Sequence, residues 1–275
     1  PAPVVSVAVE PRSERDKDTL EIALGVLQDE DPTVQVHEDP ETGQRILSGM
    51  GELHLEILID RLEREFKVEA RSGAPQVAYR ETIASAADAT GQYSVQIEDE
   101  GLFGEITVHV EPAGDGEGTE VVDSIPDGGL PGALREAAMR GASGAANNGV
   151  LGGFPLQDVR VALTGAVTHE TLSNETAFEA AGSQAVHNAL HKAGPTLLEP
   201  IMKTQVSVPS DYVGRVMGDL NARRVQIMGV DVRDLNEVIL AEAPLAEMFR
   251  YTTSLRSMTQ GRGTHTLEFS HYEAV

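Results

Sequence analysis

Three patterns in this chain have residue types and spacing that could do chemistry. The first is residues 124–155, SIPDGGLPGALREAAMRGASGAANNGVLGGFP. Asp127-Gly128-Gly129 is a turn signal, because glycine accepts the positive φ that other residues resist. Pro131 suits the first turn of a helix, where its missing N–H costs nothing. A glycine turn feeding a helix N-terminus turns backbone N–H groups outward, as anion binding requires. The same residues also fit an ordinary loop-to-helix joint. The second pattern is the loop around His169, which follows a strand and Thr164-Gly165. The third is His187 with His191, at i, i+4 on one helix face, the spacing that metal ligands favour. No third ligand and no HExxH accompany this pair, so two surface histidines are the simpler reading and no metal site is expected.

Composition narrows the chemistry further. With 275 residues there is room for two domains or three small ones. There is no Cys, which excludes disulfides, thiolate zinc sites and a cysteine nucleophile. Trp is absent and aromatics are 4%, so the cores must be built from Val, Leu, Ile and Ala. No segment has the apolar length of a membrane span, and the first residues lack a signal-peptide pattern, so the cytoplasm is the expected location. The net charge of −23 argues against a polyanionic partner unless basic contacts are gathered locally.

These patterns sit on a regular succession of elements. Residues 4–9 alternate as a strand that Pro11 stops. Ser13 with Asp16 starts a helix carrying Leu20, Ala23, Leu24 and Leu27. Residues 33–37 and 44–48 read as strands around the turn Pro40-Glu41-Thr42-Gly43. A helix over 52–66 presents Leu53, Ile57, Leu58, Leu62 and Phe66 as its buried stripe, and 67–70 close as a strand. Strand, helix, two strands, helix, strand is the split βαβ order of a ferredoxin-like domain.

A different pattern follows. Strands are expected at 76–80, 93–97 and 105–110, with 84–90 only weakly patterned. A helix over 133–140 keeps Arg135, Glu136 and Arg140 on a wet side, and Gly141, Gly144 and Gly149 then loosen it. A strand at 159–163 leads towards His169, and a long helix covers 175–192 with Phe178, Ala181, Ala185 and Leu190 on its stripe. Residues 195–202, with two prolines, read as an apolar joint. Beyond it the first order returns: strand 205–208, helix 210–224, strands 226–233 and 237–242, helix 246–257, strand 264–271. The fold class is α+β, with domains at 1–74, 75–199 and 200–275.

Several runs in this framework resemble the C-terminal part of bacterial elongation factor G, a translational GTPase. They are Ser48-Gly49-Met50-Gly51-Glu52-Leu53-His54-Leu55-Glu56, Pro75-Gln76-Val77-Ala78-Tyr79-Arg80-Glu81-Thr82-Ile83 and Leu197-Leu198-Glu199-Pro200-Ile201-Met202. Gly218-Asp219-Leu220-Asn221 with Arg223-Arg224, then Pro244-Leu245-Ala246-Glu247-Met248-Phe249 and Leu255-Arg256-Ser257-Met258-Thr259-Gln260-Gly261-Arg262-Gly263, complete the series. Their order and spacing cover nearly the whole chain. The resemblance implies domains III, IV and V: two ferredoxin-like domains flanking a mixed α/β domain of the ribosomal protein S5 domain 2-like type.

The resemblance also implies roles. The fourth domain of the family reaches the decoding region, and its tip loops map onto Asp127, Gly128, Gly129, Leu130 and Pro131 and onto Thr168, His169 and Glu170. Imidazole can hydrogen-bond sugars and bases, and glycine backbone can approach RNA closely. In the last domain Arg223, Arg224, Arg256 and Arg262 are the cations expected near rRNA, with surface salt bridging as the competing role. Gly51, Glu52 and His54 are expected either to couple the first domain to the nucleotide-binding part or to serve as capping and surface residues. The implied partners are the ribosome, with rRNA of both subunits, ribosomal proteins, tRNA and mRNA, and the family's GTPase domain; a monomer that binds no membrane is expected. No GxxxxGK[ST] phosphate loop is present, so this chain is expected to hold no cofactor and not to hydrolyse GTP, with GTP and Mg²⁺ belonging to an N-terminal domain outside it. The chain opens on Pro1 with no initiator Met, which fits a fragment of a longer protein.

One departure stands out. Where the family carries a basic glycine-rich run close to QSGGRGQYG, residues 96–104 read QIEDEGLFG, with Glu100 in place of an arginine and Glu98 and Asp99 in place of glycines. Together with the alanine- and glycine-rich tip helix, this opens the alternative of a divergent paralogue acting in ribosome recycling, back-translocation or rescue. A stand-alone ribosome-binding or protein-interaction module without a GTPase domain is the other alternative.

Overall fold

The alternating run at the start of the chain forms a strand because its odd positions share one buried face: β1 (Val5–Pro11) buries Val5, Val7 and Val9. A computed structural model describes residues 3–13, 15–39, 43–97, 100–233 and 235–275; at 96, 97 and 100 only the backbone is described. The turn residues Pro40, Glu41 and Thr42, the acidic pair Glu98-Asp99 and the Glu100 side chain lie outside the described residues. Two compact units form, Pro1–Ala78 with Glu199–Glu273, and Tyr79–Leu198 with Ala274–Val275. Both are α+β.

In the first unit β1 is followed by α1 (Asp16–Glu30), β2 (Gln35–Glu38), β3 (Arg45–Gly49), α2 (Glu52–Arg64), β4 (Ala70–Ser72) and β5 (Gln76–Val77). The sheet order is β2-β3-β1-β4, with β5 also on β1, and its pairings are antiparallel. α1 buries Leu20, Ala23, Leu24 and Leu27 as its spacing predicts. α2 corrects the expectation. Its buried ladder is Leu55, Leu58 and Leu62, whereas Leu53 is 68% and Ile57 51% exposed. The helix has apolar residues on opposite sides, and periodicity alone does not say which side the sheet covers.

The second unit contains β6 (Arg80–Ile83), β7 (Ala87–Ile97), β8 (Glu100–Pro112), β9 (Glu120–Asp123), α3 (Gly132–Ala146), β10 (Val159–Val167) and α4 (Glu175–Lys192). Its four-stranded sheet runs β7-β8-β10-β9, with β9 parallel to β10 and the other pairs antiparallel. Val159, Val161 and Leu163 of β10 and Ile106, Val108 and Val110 of β8 face α3 and α4 in one core. α3 does not loosen at its glycines. It continues to Ala146 because Gly141 lies where a Cβ would sit 1.9 Å from Glu179 O, and Gly182 of α4 meets Ala138 O in the same way at 2.4 Å. The alanine-rich composition thus serves a helix pair packed at backbone contact.

Residues 195–202 do carry the chain from the second unit into the first, the boundary falling between Leu198 and Glu199, but as regular strand. They open a long strand, β11 (Pro195–Pro209), whose start pairs with β6 from Pro195↔Ile83 to Leu198↔Arg80. Pro195 opens the strand and Pro200 lies between the β6 pairing and the β13 pairing that starts at Ile201, positions where a missing ladder donor is tolerated. Then follow a 3₁₀ turn (Ser210–Tyr212), α5 (Val213–Ala222), β12 (Gln226–Arg233), β13 (Asn236–Pro244), a second 3₁₀ turn (Leu245–Glu247), α6 (Tyr251–Met258) and β14 (Thr264–Ala274). The expected helix over 246–257 is therefore interrupted, with Arg250 left-handed at φ 58°. Sheet order β12-β13-β11-β14 repeats that of β2-β3-β1-β4. Met202 and Leu245 are buried in the same apolar cluster as Leu55 and Leu58, which ties both ferredoxin-like halves of this unit together.

Candidate nucleic-acid interface

In the second unit the parallel pairing of β9 and β10 decides where the two expected tip loops emerge. Asp123 ends β9 opposite Leu163, and β10 continues to Val167, so both strands point their C-terminal ends the same way. The segments at 124–131 and 168–174 leave that one end. The β7–β8 hairpin joins them, because β8 runs antiparallel to β10 with Glu105 opposite Val167, and Ile97 pairs Glu100 beyond it. Ser124 N–H donates to Leu163 O (2.8 Å), and Phe103 N–H to Leu172 O (2.9 Å), which laces the three segments together.

The first loop is built around its turn. Gly128 has φ +79° and Gly129 N–H donates to Pro126 O at 3.0 Å. Asp127, Gly128, Gly129 and Pro131 are exposed, while Leu130 is 5% exposed and belongs to the core, so it anchors the loop. Asp123 accepts from Ile125 N–H at 3.0 Å. Arg135 does not lie on a wet face: from the start of α3 it turns back over the loop. Its Nη1 donates to Asp123 Oδ2 (2.7 Å) and Ile125 O (3.1 Å), and its Nη2 to Pro126 O (3.1 Å).

In the second loop Thr168, His169 and Glu170 are all exposed. His169 N–H donates to Ser173 Oγ (2.8 Å), and that hydroxyl donates to Phe103 O (3.0 Å). Thr171 N–H lies 3.4 Å from His169 Nδ1. The backbone is therefore held from below while the imidazole faces solvent. Behind it, Asn174 caps α4 by accepting from Ala177 N–H at 2.9 Å. Ser173 and Arg135 were not legible as site residues, because nothing in their spacing shows what they reach across.

His187, from the rival metal pattern, instead has Nε2 3.1 Å from Asn148 O. No group of three or more His, Asp or Glu that could hold a metal is found among the described residues.

The arginines of the last domain divide into two pairs. Arg223 donates to Asp219 Oδ2 (2.8 Å), Glu247 O (2.7 Å) and Ser254 Oγ (3.2 Å), and its guanidinium lies 5.1 Å from the Tyr251 ring centroid. Arg224, left-handed at φ 56°, grips the buried Glu199 with two hydrogen bonds (2.8 and 3.2 Å) and also Glu247 (2.9 Å). Those carboxylates, Glu199 first, push its pKa upward. Arg256 and Arg262 are exposed. Two arginines hold the domain together and two face outward.

In the first domain, Gly51 precedes α2 and Glu52 opens it. Glu52 Oε2 accepts from Arg250 N–H (3.0 Å), a link to the last domain within the same unit. His54 Nδ1 accepts from Met50 N–H (3.1 Å), and its Nε2 lies 3.3 Å from Asp31. Asp31 is held below the usual carboxylate range, mainly by the hydroxyl and N–H of Thr33.

Comparison with known proteins agrees with this architecture segment by segment. Residues 1–74 match the family description Elongation Factor G, domain III; residues 75–194 match Elongation factor G, domain IV; residues 196–275 match Elongation factor G C-terminus. A crystal structure of a protein from Thermus thermophilus is 38% identical over 100% of this chain, with a TM-score of 0.70. The match spans 41% of that protein's chain. With all three of its segments matched in order, the chain belongs to the elongation factor G family and carries its domains III, IV and C-terminus.

Proposed function

We propose that this chain is the ribosome-engaging portion of an elongation factor G, supporting GTP-dependent movement of tRNA and mRNA in the cytoplasm. The observation that carries the reading is the shared end of the middle sheet, where the Asp127-Gly128-Gly129 turn and His169 emerge side by side in strand order. Exposed glycine backbone allows close approach to RNA, and a solvent-facing imidazole hydrogen-bonds sugars, bases or phosphates. Arg256 and Arg262 supply outward cations for rRNA in the last domain. These residues do not fit a Mg²⁺–nucleotide: an aspartate leads the glycine turn, and the nearby Arg135 is already committed to loop acceptors. In this reading, GTP and Mg²⁺ are handled by a part of the protein outside these residues.

The test is His169→Ala in the full-length parent. Translocation of tRNA and mRNA should slow while ribosome-stimulated GTP hydrolysis stays near wild type. Unchanged translocation would refute the assignment.

A second reading, a paralogue working in recycling or rescue, is favoured by two observations on charge in the middle domain. Residues 75–194 contain 17 Asp and Glu against 5 Lys and Arg, whereas residues 196–275 contain 10 against 8. Moreover, Arg135, Arg140 and Arg160 of the middle domain are paired with its own carboxylates. Such an arm meets phosphate with repulsion, screened at physiological salt. A wild-type parent that hydrolyses GTP on ribosomes without translocating would support this second reading.

A further inference from the structure

We infer that Arg135 is the positioning residue of the tip: it preforms the Asp127-Gly128-Gly129 turn from behind without touching what the turn meets. This rests on the proposed role of the tip. The guanidinium sits in α3, one turn after Pro131, and reaches back to three acceptors that lie in sequence along the incoming segment. Asp123 is the last residue of β9, and Ile125 and Pro126 lead directly into the turn. The same Asp123 carboxylate uses its other oxygen on Ile125 N–H, and the Pro126 carbonyl also receives Gly129 N–H. One side chain therefore ties strand end, turn entry and helix start together.

The chemistry explains why an arginine stands there. A planar guanidinium offers several donors in a fixed fork, so it can hold a carboxylate and two carbonyls at once, and a lysine's point charge cannot reproduce that arrangement. Arg135 and Asp123 are about one-quarter exposed, at 23% and 25% of their side chains, so the pair is partly shielded from water. Without the clamp, the carbonyls of Ile125 and Pro126 lose their shared donor. The exposed turn beyond them is then free to sample other conformations. A loop that must be ordered on meeting RNA costs conformational freedom at that step, whereas a preformed loop does not.

The experiment has two arms. In the 275-residue chain, amide exchange at Ile125 and Gly129 should rise about tenfold or more in Arg135→Ala, as loss of charge-assisted hydrogen bonds implies. Ser124, held by the neighbouring strand, should change less. Arg135→Lys should recover the Asp123 pair and only part of the protection. In the full-length parent, Arg135→Ala should slow translocation at saturating factor while ribosome-stimulated GTP hydrolysis continues, with Arg135→Lys intermediate. Unchanged exchange at Ile125 and Gly129 overturns the clamp. Raised exchange with unchanged translocation overturns the positioning role while leaving the clamp intact. Because the exchange arm involves no ribosome, failure of the clamp is read separately from failure of the translocation reading, which His169→Ala tests.

Discussion

Gly141→Ala and Gly144→Ala lie one turn apart on α3, and the structure assigns them opposite signs. Replacing a helical glycine with alanine contributes about 1 kcal/mol through backbone entropy. At Gly144 nothing lies within 4 Å of the added methyl, so that gain should survive as about 0.5–1 kcal/mol of stabilisation. At Gly141 the methyl would sit 1.9 Å from Glu179 O and 2.8 Å from its carbonyl carbon. Both are backbone atoms, so relief requires α4 to move by more than an ångström instead of a side chain turning aside. Overpacking a close-packed core costs about 1–3 kcal/mol even where side chains yield, and this site belongs at the upper end or beyond it. The net expectation is a loss of about 2 kcal/mol. For a unit of this size each kcal/mol shifts Tm by about 3–6 °C, so Gly141→Ala should melt roughly 6–12 °C lower and Gly144→Ala a few degrees higher. Two units need not unfold in one step, so the assay is calorimetry of the 275-residue chain, following the transition that Gly144→Ala raises. A Gly141→Ala protein as stable as wild type would refute the contact-distance packing of α3 on α4.

Two further outcomes test the first unit. His265 is pushed below the usual histidine range by burial, against an opposing pull from Glu52, and its ring lies edge-on to Tyr251 at 5.1 Å. The unfolded state therefore takes up the proton first, so stability should be full above about pH 6.5 and fall as pH drops through the lower folded value; urea titrations should show that slope flattened in His265→Gln. The arginines should separate by stability: Arg223→Ala should lower Tm, by the equivalent of about 2 kcal/mol, because it strands Asp219 and Glu247 O in a part-buried site. Arg256→Ala and Arg262→Ala should stay within about 0.5 kcal/mol of wild type and instead weaken ribosome binding by the full-length parent, with a shallower salt dependence.

Much of the scaffold was legible because local rules and tertiary packing agree. α4 was bounded correctly at 175–192, since Asn174 caps it and its apolar residues keep one period. Both ferredoxin-like orders could be read from alternation and turn residues. Other elements could not. β9 is four residues long with no fully buried position, so it lacks the alternation that marks a strand. The stripe expected on α2 mixes its two sides: Leu58 and Leu62 are buried as expected, but Leu53 and Ile57 face outward and Leu55 takes the inner position, because apolar residues on both sides leave the choice to the sheet.

What the sequence alone determined is the class of the chain: three α+β segments and the repeated split βαβ order. Those follow from period, turn chemistry and spacing, which are local properties; the glycine turn and His169 are picked out only by the resemblance to the family. Tertiary structure alone decided how the turn is held. The parallel pairing of β9 with β10 sends both loops from one end, Leu130 is drawn into the core, and Arg135, which reads in sequence as a solvated helix residue, folds back onto Asp123, Ile125 and Pro126. The same is true of the arginine pairs: the adjacent Arg223 and Arg224 look as free in sequence as Arg256 and Arg262, but they meet acceptors some 23–31 residues away, from Glu247 to Ser254, along with Glu199. A donor's partners are set by which segments the fold brings within hydrogen-bond reach, and spacing along the chain does not carry that information.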